Sequence, residues 1–340
     1  MSIRSVHTYR LGASLILFLS IIGGKFTVAK AEEPLRFTPL DEESYAETLT
    51  LSTALETGAY LLVQAMLTNG GIGDEKPGCR ILFVSSSGKA INQVNRDGDW
   101  SNLNERGKLS ISSCALIARG DGLTWTAQTD DLSVDLSLKG AVKRVKTPRG
   151  NLTERGGFFE SSVLSPFAEI TAKIKAPKEG LILARGRGTL VHTRSTLLPP
   201  DVAKRWLKIY VYPSSSSSSL PLLIELKQSD RGDISGWYWE GGETSPKALT
   251  PDEVKPLEGW MRGDHATMTS IKLGGSTLHF KRGPLLFTYE PVRQYGMMGR
   301  LAKRWIGDPL NKTRRLEMGR GDGADQTPEL LGFVEEIEIR

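Results

Sequence analysis

Along much of this chain apolar and polar residues alternate one by one, and a period of two is the pattern of a half-buried β-strand. Leu123-Thr-Trp-Thr-Ala127 and Leu132-Ser-Val-Asp-Leu-Ser-Leu138 both alternate, and Gln128-Thr-Asp-Asp131 between them reads as a hairpin turn. Gly58-Ala-Tyr-Leu-Leu-Val-Gln-Ala-Met66, Leu222-Leu-Ile-Glu-Leu226, Ile234-Ser-Gly-Trp-Tyr-Trp239, Leu278-His-Phe280 and Phe333-Val-Glu-Glu-Ile-Glu-Ile339 repeat the strand signal. Turn residues punctuate these runs at Asn69-Gly-Gly, Ser87-Gly, Arg96-Asp-Gly-Asp99, Asp121-Gly122 and Gly274-Gly275. The 36 Gly and 17 Pro follow no triplet period, which excludes collagen and suits a chain of many turns. An all-β meander is expected, closed as a barrel or stacked as a sandwich.

Helical signals are few. Val292, Tyr295, Met298, Leu301, Ala302 and Trp305 recur every three to four residues from Glu290 to Ile306, with Arg293, Arg300, Lys303 and Arg304 between them and Pro309 as a stop. A short helix can start at Pro199-Pro-Asp201 and run toward Trp206. The polar, Gly- and Pro-containing stretch Lys143 to Gly157 separates two strand-rich halves and looks like a linker. The run Ser214 to Ser219 has nothing to bury and reads as a hairpin tip.

The first residues carry an address. Arg4 and Arg10 precede the apolar run Leu11 to Ile22, and Ala29-Lys-Ala31 follows, which together have the three parts of a secretory signal peptide cleaved after Ala31. The apolar run is shorter than the ~18 residues that span a bilayer. Residues 1–31 hold four of the 44 basic residues and none of the 39 acidic ones, leaving 40 against 39. The basic excess therefore belongs mainly to the leader, and no nucleic-acid partner is expected. Export to the periplasm of a Gram-negative cell, or secretion from another host, follows. Cys79 and Cys114 are the only two cysteines, and in an oxidising compartment they can be bonded to each other or stay as buried thiols.

Motifs for cofactor or metal chemistry are missing. His192, His265 and His279 form no ligand spacing with one another or with the cysteines, Gly70-Gly-Ile-Gly73 lacks the lysine of a phosphate loop, and Gly186-Arg-Gly188 lacks the third glycine of a dinucleotide fingerprint. No cofactor and no metal are expected.

Three segments carry a family resemblance: Glu56-Thr-Gly-Ala-Tyr-Leu-Leu-Val-Gln64, the stretch from Gly186-Arg-Gly-Thr-Leu-Val-His192 through Pro199-Pro-Asp201 to Trp206 and Tyr212, and Tyr289-Glu-Pro-Val292 with Leu301-Ala-Lys-Arg-Trp-Ile-Gly-Asp-Pro309. Spread from about residue 45 to the C-terminus, they resemble two-domain calycin proteins of the yeast survival-factor type, a group related in pattern to carotenoid hydratases. The resemblance implies two tandem lipocalin-like antiparallel β-barrels, here residues 32–150 and 151–340, the second with a short helix. It also implies a hydrophobic cargo, since the yeast members look like ceramide carriers. The hydratases place an Asp immediately before a strand His, where a carboxyl can protonate an alkene; here Val191 precedes His192, which argues for binding over catalysis.

Three functions stay open. A carrier of a hydrophobic or lipid small molecule would use His192, Arg194 and Trp206, with alternation aiming His192 and Arg194 to one face. An isoprenoid or lipid-modifying hydratase, cyclase or isomerase would need an acidic residue in the cavity, with Glu169 and Glu225 as candidates. An envelope interaction protein would lay Arg293, Arg300, Lys303 and Arg304, together with Lys312, Arg314 and Arg315, on an anionic membrane surface.

Overall fold

The computed structural model describes residues 35–69, 74–103, 107–140, 142–148, 156–212, 220–262, 268–273, 276–292, 303, 307–320 and 330–339. The leader, the hexaserine run and most of the expected helix from Glu290 to Ile306 lie outside these residues. Pro34–Arg340 forms one compact unit.

The alternating segments pair as antiparallel strands. The first sheet contains β1 (Ala46–Leu55), β2 (Tyr60–Thr68), β3 (Lys76–Val84), β4 (Ala90–Asn95), β5 (Trp100–Leu103), β6 (Lys108–Ile111), β7 (Cys114–Arg119), β8 (Gly122–Gln128), β9 (Ser133–Lys139), β10 (Val145–Lys146), β11 (Phe159–Ala176) and β12 (Gly180–Ser195). Its spatial order is β4-β3-β2-β1-β12-β11-β9-β8-β7-β6-β5, with β10 on β11. The sheet curls so that one face of each strand meets a common core, which holds Leu49, Leu51, Leu61, Val63, Trp125, Leu136, Ile170 and Leu190. Cys79 on β3 and Cys114 on β7, far apart in strand order, are both in that core and are disulfide-bonded. The bond staples the curl across its inside.

The second sheet contains β13 (Arg205–Tyr212), β14 (Leu222–Gln228), β15 (Ile234–Glu240), β16 (Lys247–Ala248), β17 (Met268–Leu273), β18 (Ser276–Tyr289), β19 (Pro309–Arg320) and β20 (Leu330–Ile339), in the order β16-β15-β14-β13-β20-β19-β18-β17. Leu207, Ile209, Ile224, Phe280, Leu316 and Val334 fill its inside together with Leu257 and Trp260 of helix α2 (Pro251–Arg262). That helix begins with Pro251, and the Glu253 carboxylate folds back to accept from the Thr250 backbone N–H and hydroxyl, both at 2.8 Å. This is the reciprocal half of a capping box.

The two sheets pack back to back. Val163 and Val191 of the first meet Tyr210, Tyr212, Leu223, Trp237 and Trp239 of the second, and the Tyr60 ring meets Phe333 at a 44° tilt with centroids 4.8 Å apart. Several polar groups pair across this seam: Glu335 accepts from Ser52 Oγ at 2.8 Å and from the Tyr60 hydroxyl, and Thr189 Oγ1 shares a hydrogen bond with the Tyr212 hydroxyl at 2.8 Å.

Two sequence expectations change here. The division at residue 150 does not coincide with the change of sheet: β11 and β12 sit in the middle of the first sheet, and the chain crosses to the second between Ser195 and Arg205. Polar residues near Lys143 to Gly157 mark a connection within one sheet, part of which pairs as β10. The short helix α1 (Pro199–Val202) stops before Trp206, which is in a strand. The Gly-x-Gly motif also gains a structural meaning, because a Cβ at Gly186 would lie 2.2 Å from the Ala54 carbonyl oxygen.

Two stability outcomes follow. Reduction of the disulfide, or Cys79→Ala with Cys114→Ala, should lower unfolding free energy by roughly 3 to 4 kcal/mol for a loop of this separation, read from urea unfolding with and without reductant. Gly186→Ala should cost about 1 to 3 kcal/mol or more, because the clash is with backbone that cannot rotate away; an unchanged melting curve would contradict the close approach.

Candidate functional site

At the centre of the first sheet β1 and β12 lie side by side with Glu47 opposite Arg194 and Leu49 opposite His192. Alternation places Glu47, Leu49 and Leu51 on the inner face together with Leu190, His192 and Arg194. Glu47 and His192 are buried among apolar neighbours, with His192 Nε2 at 2.7 Å from Glu47 Oε1. The other carboxylate oxygen, Oε2, accepts from the Thr38 N–H at 2.8 Å and lies 2.5 Å from the Tyr45 hydroxyl. Thr38 is held at both ends of its peptide groups, for its carbonyl oxygen lies 2.9 Å from the Tyr45 hydroxyl and 3.2 Å from Arg194 Nη2. Arg194 Nε also reaches to 3.6 Å from Glu47 Oε1. The Phe37 ring stacks on His192 at 5.7 Å, and Leu35 and Phe37 join the inner core. Residues 35–38 thus thread into the first curl and are clamped there.

The chemistry of the centre follows from its closure. A buried carboxylate is tolerable only when its lone pairs are used, and here both oxygens have donors. Burial pushes the His192 pKa down, helped by the positive charges of Arg144 and Arg194 and opposed by the hydrogen bond to Glu47. Neutral His192 donates from Nε2 to the carboxylate. Tyr45 is pushed up by burial and by its hydrogen bond to Glu47, so it stays a donor. The set has the parts of an acid–base pair, but every one is engaged in holding Thr38 or its own neighbours.

Sequence reasoning put His192, Arg194 and Trp206 at one binding site. The structure brings the first two together and sets Trp206 apart, on the opposite face of β13, where its ring meets Phe159 edge-on at 5.0 Å and lies under the Lys227 and Lys208 ammonium groups at 4.9 and 5.3 Å. Glu225 is buried beside it, 2.7 Å from Lys227 and 3.8 Å from Lys208. Burial opposes its charge, but those two ammonium groups outweigh burial and hold the carboxyl below its usual range. Glu225 therefore faces the seam and not a cavity, and Glu169 is exposed and 3.7 Å from Arg187. Val191 too points into the seam, while its neighbour His192 points inward.

The basic-helix expectation also changes. Arg293, Arg300 and Arg304 lie outside the described residues, and Lys303 is 2.9 Å from Asp308. Lys312, Arg314 and Arg315 belong to β19; Arg314 lies 3.4 Å from Glu336, and Arg315 donates to the Gly58 and Ser86 carbonyls. Glu47 and Tyr45 escaped the sequence reading, although Tyr45-Ala-Glu-Thr-Leu-Thr-Leu51 sets an acid on the apolar side of an alternating strand.

A second polar site opens to solvent in the second sheet. A narrow cleft of about 50 Å³, open to solvent on one side, is lined by Trp206, Leu207, Trp260 and Leu310 and by the charged groups of Arg205, Arg282, Lys312, Arg314, Glu336 and Glu338. Glu336 is shared by Arg282 at 3.0 Å and Arg314 at 3.4 Å, and Arg205 pairs with Glu338 at 3.1 Å. Arg282 also lies 4.8 Å above the Trp260 ring and donates to the Trp260 carbonyl at 2.7 Å.

The neutral state of His192 has a pH consequence. Its folded pKa is below the unfolded value near 6.5, so its contribution is fully present above that pH and is lost as pH falls below it, by up to about 1.4 kcal/mol per pH unit. Urea midpoints measured from pH 7.5 downward should fall less steeply for His192→Gln than for the unaltered protein, after the carboxylate background common to both.

No protein-family model and no curated protein matches the sequence. Solved structures do match in fold. A candidate AttH protein from Nitrosomonas europaea superimposes with a TM-score of 0.55 and 12% identity, over 92% of this chain and 98% of that one. CghA gives 0.57 at 10% identity over 91% and 96%, and kievitone hydratase from Nectria haematococca gives 0.54 at 10% identity over 92% and 94%. With its two curled antiparallel sheets, the chain shares the lipocalin-like fold of these structures.

Proposed function

We propose that the protein binds a hydrophobic or lipid small molecule with an anionic head, and that the head is received by the cleft of the second sheet. The observation that carries this reading is the balance of that cleft: Arg205, Arg282, Lys312 and Arg314 against Glu336 and Glu338, beside the apolar surfaces of Trp206, Leu207, Trp260 and Leu310. Four cations against two carboxylates make this lining net positive, which suits a carboxylate, phosphate or sulfate, the groups that arginine forks recognise. Trp206 keeps its place as a ligand residue in this reading. His192 and Arg194, by contrast, hold residues 35–38. Export to an extracytoplasmic compartment rests on the basic, apolar and small-residue order of residues 1–31. Kinship with the survival-factor type, and with it a lipid as cargo, rests on the motifs of residues 186–212 and 289–309.

A lipid- or isoprenoid-modifying activity is the second reading, favoured by the buried Glu47–His192 pair in a hydratase-related fold. It requires Thr38 to leave Glu47 so that a substrate can meet the carboxyl.

Tryptophan fluorescence tests the main reading. Dodecanoate and dodecyl phosphate should quench saturably, dodecanol should bind much more weakly, and Arg314→Ala should weaken the acids about tenfold or more, the scale of a lost charged hydrogen bond. Equal binding of dodecanol, or no effect of Arg314→Ala, would sink the cleft as an anion site. Lipid extraction of protein from its native host, read by mass spectrometry, should yield an acidic amphiphile.

A further inference from the structure

The β11–β12 hairpin is longer than the strands around it. β12 pairs with β1 only from Gly186 to Ser195, so Gly180 to Arg185 extend past that neighbour with β11 as ladder partner. Inward positions of this extension, Ala172, Ile174, Ala176 and Ala184, belong to the core. Outward positions do not follow the usual polar rule. Leu181 and Leu183 are 59% and 72% exposed, stand on the same face two residues apart, and lie directly opposite Lys175 and Lys173. Single exposed leucines are ordinary, but a pair ringed by cations is a patterned surface.

On the outward face of these strands cations outnumber acids. On the outward face itself Lys139, Lys173, Lys175, Arg185 and Arg187 stand against Asp135 and Glu169, the latter taken by Arg187; the tip adds Lys178 and Glu179, and the neighbouring β8–β9 turn adds Asp130 and Asp131. Lys178 projects at the tip, where the backbone takes a left-handed turn with φ of 66°. We propose that this hairpin face docks on an anionic phospholipid surface, with Leu181 and Leu183 entering the interface and Lys173, Lys175, Lys178 and Arg185 meeting the headgroups. Charge complementarity selects that partner: leucines next to long cationic side chains match an interface that is apolar below and negative above. The site is separate from the second-sheet cleft and does not depend on any ligand there.

Flotation of the whole protein with phosphatidylcholine vesicles, with and without phosphatidylglycerol, tests it. Binding should appear with phosphatidylglycerol, weaken as salt rises, and fall on the order of tenfold in Leu181→Ser with Leu183→Ser and again in Lys173→Glu with Lys175→Glu. These positions are exposed, so circular dichroism of the variants should match the unaltered protein, and Arg314→Ala should float normally. Absence of binding to phosphatidylglycerol vesicles, salt-insensitive binding, or undiminished binding by the folded leucine variant would overturn the proposal. So would a leucine-dependent dimer in sedimentation without vesicle binding, which would assign the face to a second copy of the chain.

Discussion

The antiparallel pairing of β1 with β12 is the constraint on which both halves of the molecule depend. This ladder is buried on both faces, as few antiparallel pairs are. Leu49, Leu51 and Leu190 point into the first core, while Ser52, Thr189 and Val191 point into the seam with the second sheet. A slip of one residue would exchange these sets and put Glu47 and His192 against the second sheet's aromatic residues. Gly186 fixes the register from the other end, because only a residue without Cβ fits beside the Ala54 carbonyl.

Register on this ladder is reinforced by polar groups and not only by packing. Glu47, His192, Tyr45 and Arg194 satisfy one another and the Thr38 peptide around a buried carboxylate, so any other alignment would strand it. The seam repeats the device with Glu335, Ser52 and Tyr60. Both clusters are specific because leaving any member unpaired costs more than the pair itself contributes.

How much of this could be read in the sequence depended on the range of the interaction concerned. β8 and β9 were plain because alternation and the turn between them are local. Strand membership was not: β11 and β12 follow a polar, Gly-containing stretch that mimics a linker, and only the pairing of β12 with β1 across more than a hundred residues joins this hairpin to the first strands. Helix α2 was legible in principle from Thr250-Pro-Asp-Glu253, but its apolar face is short and its neighbours read as loop. His192 and Arg194 were found together because they share one strand. Their partner Glu47 was missed because a carboxylate in an alternating strand ordinarily marks the wet face, and the sequence does not say which face closes inward.

A lipocalin-like fold suggests a ligand inside a barrel, yet here the insides are occupied by the chain itself. Leu35 and Phe37 complete the first core, and Trp260 from α2 completes the second. Phe37 on His192 and Thr38 on Glu47 make the contacts that an aromatic, hydrogen-bonding ligand would make. With Leu35, Phe37 and Trp260 filling the two interiors, the chemistry that a ligand can reach lies on the outer surfaces. Cations outnumber carboxylates in the cleft of the second sheet, and exposed leucines gather on the β11–β12 hairpin. In the proposed reading an amphiphile is therefore met at surfaces that read its head and its interface, because the chain's own side chains fill the two interiors.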